Sequence, residues 1–171
     1  MQHLHSAVCL TRKNISKFNI LTFIDPSTPN AAEVMKVLLR FEREILAPYS
    51  LPGNDLSMNM YDALPLPWDV SPPVPFFPQS EFTRYDYDRE GVLTDGKDFF
   101  NGTTFTELED EKTGLSTASM VTRWRAAHPE LVGTEKDCVE VFMGELKEAM
   151  GGQTWILRGS GTAILLFKKA V

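Results

Sequence analysis

Basic residues, cysteine and histidine are all scarce in this 171-residue chain, and each scarcity removes a class of function. Lys and Arg number 17 against 23 Asp and Glu, for a net charge of −6. The only basic clusters, Arg12-Lys13, Arg123/Arg125 and Lys168-Lys169, are too small to follow a phosphate backbone, so nucleic acid is excluded as a partner. The two cysteines, Cys9 and Cys138, make neither a disulfide framework nor a zinc spacing. They are expected to be reduced structural thiols, which fits the cytoplasm. Three histidines, two of them at His3 and His5, supply no metal site. No apolar run approaches the ~20 residues that span a bilayer, so no membrane partner is expected. The weakly apolar start, Met1 to Leu10, precedes Arg12-Lys13, the wrong order for a signal peptide. The sequons at Asn14 and Asn101 are therefore expected to stay unglycosylated.

What is present suits one folded domain: 43% apolar and 23% charged residues are ordinary for a globular chain. No repeat or low-complexity tract interrupts it. Phe18 to Ile24 is a short apolar run that reads as a buried strand. Thr28 as cap and Pro29 at the first position open a helix. Val34, Leu38, Phe41 and Ile45 form its apolar stripe, Glu42, Arg43 and Glu44 face water, and it ends before Pro48. Pro48 to Pro78 holds eight of the eleven prolines, interleaved with Leu, Met, Tyr, Trp and Phe. So many large apolar groups argue for an ordered, packed excursion with a helical turn near Leu56 to Tyr61. An SH3-type ligand is the weaker alternative.

Phe82 to Tyr87 alternates as a half-exposed strand, closed by a turn at Arg89 to Gly91. Thr94 to Gly114 reads as a polar, turn-rich stretch tethered by Phe99, Phe100, Phe105 and Leu108. Leu115 to Ala127 is a second helix, with Thr117, Met120 or Val121, Trp124 and Ala127 on one stripe, ended by His128-Pro129. A third is capped by Thr134 with Asp137 three residues on; Val139, Phe142, Leu146 and Met150 form its face, and Gly151 stops it. Strands at Thr154 to Leu157 and Thr162 to Phe167 flank Arg158-Gly-Ser-Gly161, whose glycines read as turn residues. Ala163 to Phe167, apolar throughout, is a central strand covered on both faces.

Four segments carry a family resemblance: Asp25-Pro-Ser-Thr-Pro-Asn30, Met60-Tyr-Asp-Ala-Leu-Pro-Leu-Pro-Trp68, Thr117-Ala-Ser-Met-Val-Thr-Arg-Trp-Arg-Ala-Ala-His-Pro129 and Gly161-Thr-Ala-Ile-Leu-Leu-Phe-Lys-Lys169. In this order they resemble the C-terminal half of fungal S-adenosylmethionine-dependent methyltransferases of the trans-aconitate methyltransferase type, from about Phe23 onward. The resemblance implies an α/β fold: the C-terminal part of a class I, Rossmann-like methyltransferase, with about three strands and three main helices. Residues 1–17 are a divergent N-terminal segment and 18–171 a partial methyltransferase domain. Within it, 18–24 stands as the fifth strand, 25–80 as a substrate-covering insertion, and 81–171 as the C-terminal strands and helices. The first four strands, with the glycine loop that holds S-adenosylmethionine, are expected to be absent. Gly151-Gly152 and Gly159-Ser-Gly161 do not follow a strand and open a helix, so they fail the context of a nucleotide loop.

Methyl transfer from a sulfonium is an in-line displacement that needs positioning and a dry site more than acid–base chemistry. A small organic acid acceptor calls for guanidinium partners. Arg123 and Arg125 are the candidates, with hydroxyls from Ser116, Thr117 and Ser119. The alternative for each is a solvated helix face, a salt bridge or a cap. Trp124 could wall the pocket or anchor the core, and His128 could serve as a base or satisfy the helix end. Tyr61 and Trp68 could line a lid or simply pack it down. Asp25, at the carboxyl end of a strand, is a ligand position or a turn residue. No catalytic or metal-binding residue stands out. The expected function is a methyltransferase-like protein, inactive alone, for a small acid or secondary metabolite. The rivals are an accessory chain docking on a full-length methyltransferase, or a homo-oligomer, through an exposed sheet edge, and a gene-model fragment.

Overall fold

The computed structural model describes residues 7–8 and 22–170. His3, His5, Cys9, Arg12-Lys13, the Asn14 sequon and the first part of the Phe18 to Ile24 run lie outside the described residues. Among the described residues are six strands and five α-helices, more than the three strands and three main helices expected. The strands are β1 (Ala7–Val8), β2 (Thr22–Ile24), β3 (Phe82–Tyr87), β4 (Thr104–Glu107), β5 (Trp155–Ser160) and β6 (Thr162–Phe167). The helices are α1 (Ala31–Arg40), α2 (Pro52–Met58), α3 (Leu108–Ser116), α4 (Ser119–Ala127) and α5 (Cys138–Met150).

The strands form two three-stranded sheets, ordered β1-β6-β3 and β2-β5-β4. Every pair is antiparallel. Strands β5 and β6 are the central members of the two sheets and are separated by Gly161 alone. The Arg158 to Gly161 stretch is thus strand up to Ser160 and not a turn. Gly159 pairs with Phe23 and sits beneath the Phe99 ring, whose atoms would lie 2.0 to 2.6 Å from any β-carbon there. Gly151 and Gly152, with φ of 61° and 95°, are the turn glycines. Strand β6 is central as its apolar run predicts. Ala163 and Leu165 are buried, while Ile164 and Leu166 on the other face are only half-buried.

The main core lies where α1, α3, α4 and α5 meet the Ile24 and Ile156 face of β2-β5-β4. Val34 and Leu38 on α1, Leu115 on α3, Met120, Val121 and Trp124 on α4, and Val139, Phe142, Leu146 and Met150 on α5 are buried there. Each contributes roughly 1.5–3 kcal/mol of burial. The α5 face matches the periodicity of the sequence, but its cap is Asp137. The Asp137 carboxylate accepts from the Val139 N–H at 2.9 Å, while Thr134 lends its hydroxyl to the Leu131 carbonyl.

Three further expectations are corrected. Thr28 is not a helix cap: its hydroxyl bonds the Leu157 carbonyl and receives the Leu157 N–H, each at 3.2 Å, which clamps the chain to β5. The residue preceding α1 is Asn30, with φ 57°. The single helix over Leu115 to Ala127 is two, because Ala118 is extended and the Thr117 hydroxyl bonds the Gly114 carbonyl, a local bond that competes with helix continuation. Glu42 does not face water. Residues Phe41–Ile45 are wound as a π-helix, closed by a Leu46 N–H to Phe41 carbonyl bond of 2.9 Å. This wider turn brings Glu42 and Leu46 inward and leaves Glu42 4% exposed.

The proline-rich excursion is packed around Met60 to Leu66, as its apolar content predicts, but Leu51, Val74 and Phe76 are exposed. Met60 joins Ala163 and Leu165 in a second small core, with Tyr61, Leu64, Leu66, Phe82 and Phe167 against it. The polar stretch from Thr94 to Gly114 contains β4 and most of α3, neither expected from the sequence.

Candidate functional site

The sequence-predicted site residues are dispersed over several separate regions. Helix α4 carries Ser119, Arg123 and Trp124 to a seam where the excursion crosses it. The Arg123 Nε donates to the Tyr49 carbonyl at 2.6 Å and Nη2 to Asn54 Oδ1 at 2.7 Å. Asn54 also accepts the Leu51 N–H at the start of α2, and its amide reaches the Ser119 hydroxyl at 3.4 Å. One turn further on, the Tyr49 hydroxyl shares a hydrogen bond of 2.8 Å with His128 Nε2. The His128 ring lies 4.6 Å from that of the buried Trp124. Tyr49, Asn54, Ser119, Arg123 and His128 thus form one half-exposed polar cluster floored by an indole. The Arg123 Nη1 has no hydrogen-bond partner among the described residues.

The other members of the predicted set are held elsewhere. Arg125 turns away from Arg123 and grips the buried Asp137 carboxylate at 2.8 and 3.2 Å. Burial alone would push that carboxyl up, yet the Arg125 guanidinium and the Val139 and Gly133 N–H groups hold it below the usual carboxylate range. Ser116 contributes its carbonyl to Arg125 at 3.4 Å, and the exposed Thr117 hydroxyl is taken by Gly114. Tyr61 belongs to the second core. Trp68 lies edge-on to Phe82 at 5.2 Å and tilted to Phe167 at 6.2 Å. Tyr61 and Trp68 therefore fasten the excursion to β3 and β6 and do not meet Arg123.

Asp25 closes the carboxyl end of β2 as a loop anchor. One oxygen accepts the Ser27 N–H and hydroxyl at 2.9 and 2.6 Å, the other the Thr103 hydroxyl at 3.2 Å. The Ser27 hydroxyl first, with the other donors, holds the Asp25 carboxyl below its usual range against burial. Beside it Asn101 donates to the Ser160 hydroxyl at 2.6 Å. Tyr49 and Asn54 were missed as seam residues, because they lie far from α4 in sequence and only the crossing of the excursion brings them there. Among the described residues no glycine loop joins a strand to a helix. No group of three metal-ligating side chains and no helix long and apolar enough to cross a membrane is present among them either.

No family model and no curated protein matches the chain. A solved structure from Anaeromyxobacter dehalogenans, described as a "putative type II methyltransferase", is similar in fold. It shares 21% sequence identity, superposes with a TM-score of 0.52, and the match covers 87% of this chain and 48% of that one. The chain spans about half the length of the structure it matches. The shared feature is the mixed α/β fold, here built of small antiparallel sheets and five helices.

Proposed function

We propose that this chain is the acceptor-side unit of an S-adenosylmethionine-dependent methyltransferase of the trans-aconitate type. Its acceptor is a small organic acid or related metabolite, and the chain does not turn over by itself. The observation that carries this reading is the fold match, which extends over most of this chain and about half of a methyltransferase-named structure. The four motif segments support it. In this reading Arg123 is the orienting group. Its Nε and Nη2 are fixed by Tyr49 and Asn54, so the free Nη1 is aimed without loss of further side-chain freedom, and a carboxylate meeting it is held by a charge-assisted bond. Ser119 and His128 flank that position with a hydroxyl and an imidazole. Of the seam residues only Trp124 is buried, so the water exclusion that methyl transfer needs would come from a complementary unit.

Equilibrium dialysis of the folded chain against labelled S-adenosylmethionine tests the proposal. No saturable binding is expected; saturable binding, followed by turnover on small acids, would overturn the claim of dependence on another unit. A second reading, an accessory chain that docks on a complete methyltransferase, draws on one observation: β2 is an edge strand with β5 as its neighbour, and such edges accept further strands. A monodisperse monomer that captures no methyltransferase on mixing would count against it.

A further inference from the structure

Three charged side chains from three different elements meet in the interior away from the Arg123 seam. The π-helical turn after α1 sends the Glu42 carboxyl into the core at 4% exposure, and α3 sends Glu111 toward it at 2%. From β5 comes Arg158, 9% exposed, with Nη1 2.8 Å from Glu111 Oε2. That contact is a buried ion pair. The Glu42 Oε1 is buried with no hydrogen-bond partner.

The one guanidinium is paired with Glu111, and it is not among the charges acting on Glu42. The groups facing Glu42 are Arg43 from its own turn and Glu111 from α3. Helix α5, packed on the same stretch, meets it with Phe142, stacked on Phe41 at 4.3 Å. The nearby Glu145 on α5 is taken by Arg40 at the exposed edge. An ionised carboxylate with an unpaired oxygen is very costly in such a place, and the usual escape is to keep a proton.

We propose that Glu42, Glu111 and Arg158 form a single-proton site: the native fold keeps one proton on the carboxyl pair, chiefly on Glu42, and its loss in alkaline solution loosens the joint between α1, α3 and β5. Burial first, and the neighbouring Glu111 carboxyl with it, pushes Glu42 well above its ordinary value of 4.5, against the pull of Arg43. Burial likewise raises Glu111, against the pull of Arg158. A group raised in the folded state gives stability that is complete below its unfolded value and is lost as pH rises through the folded one. One proton changes the unfolding constant at most tenfold per pH unit across that window.

The test is urea unfolding of the full chain from pH 5 to 9, for the wild type and for Glu42→Gln, which keeps the shape of the protonated acid. The wild type should lose stability relative to the variant as pH rises, by up to tenfold in the unfolding constant per unit, with the variant the more stable at pH 8. Parallel curves, offset by the same factor at every pH, would overturn the proposal. A second measurement needs no variant. Unfolding of the wild type in weakly buffered solution should release close to one proton at some pH between 5 and 8. Absence of release throughout that range would overturn it as well.

Discussion

The Phe99 ring lies directly over Gly159, so close that a β-carbon at that strand position would stand 2.0 Å from the Phe99 Cγ. Phe99 is itself 3% exposed and holds the loop between β3 and β4 against the sheet. Gly159→Ala must displace that ring, and overpacking of this kind costs roughly 1–3 kcal/mol. The expected result is a lowered urea midpoint with unchanged slope. In a double-mutant cycle, Phe99→Ala should cost far less in the Gly159→Ala background than in the wild type, because the two residues share one space.

Arg125 and Asp137 join α4 to the start of α5, and the carboxylate is fully buried while the arginine keeps some contact with water. Arg125→Met leaves that carboxylate with N–H donors alone. The loss should be about 2 kcal/mol at pH 7, between the values for buried and exposed pairs. Asp137 lies below its ordinary value of 3.8 in the folded chain. Its contribution is therefore complete above that value and disappears as pH falls through the depressed one. The variant should show a shallower decline of thermal stability in acid than the wild type.

Arg123→Met should act locally. The seam loses two bonds, to Tyr49 and Asn54, which with a charged donor are worth about 1.5–3 kcal/mol each when buried and less at this half-exposed position. Helix α4 keeps its buried residues. Amide hydrogen exchange should rise by about tenfold across Tyr49 to Asn59 and stay unchanged in α5. Uniform acceleration over the whole chain would mean that the seam supports the global fold.

Cys138 begins α5 at 4% exposure. Burial and then the Asp137 carboxylate push its thiol up to about 12, so the reactive thiolate is scarce at neutral pH. In a Cys9→Ser background, maleimide should label Cys138 only after urea is added. Prompt labelling of the folded chain would contradict the packing at the start of α5.

Much of the framework is legible in the residues. Strands β3 and β6 have the very bounds that alternation and apolar content predict, and α5 shows its buried face as a clean helical stripe. What fails does so for local reasons. Helix α3 buries Glu111 between Leu108 and Leu115, and a charge on the inner stripe erases the apolar signal. Glu42 looks solvent-facing because a period of 3.6 residues is assumed where the chain is wound more widely. Arg158 and Gly159 read as a turn, whereas the glycine is there to admit Phe99. At the seam, helical position marks Arg123 as a candidate, but Tyr49 and Asn54 become its partners only through the path of a long irregular segment that no periodicity describes.

Strands β2, β3 and β4 each find their partner in the stretch from Trp155 to Phe167. Synthesis proceeds from the N-terminus, so all three emerge from the ribosome before the segment that pairs them. Helices can form early, but sheet formation must await that last stretch, and until then three strand edges stay open to other chains. The yield of soluble protein should accordingly respond more to chaperone supply during translation than the stability of the finished fold suggests.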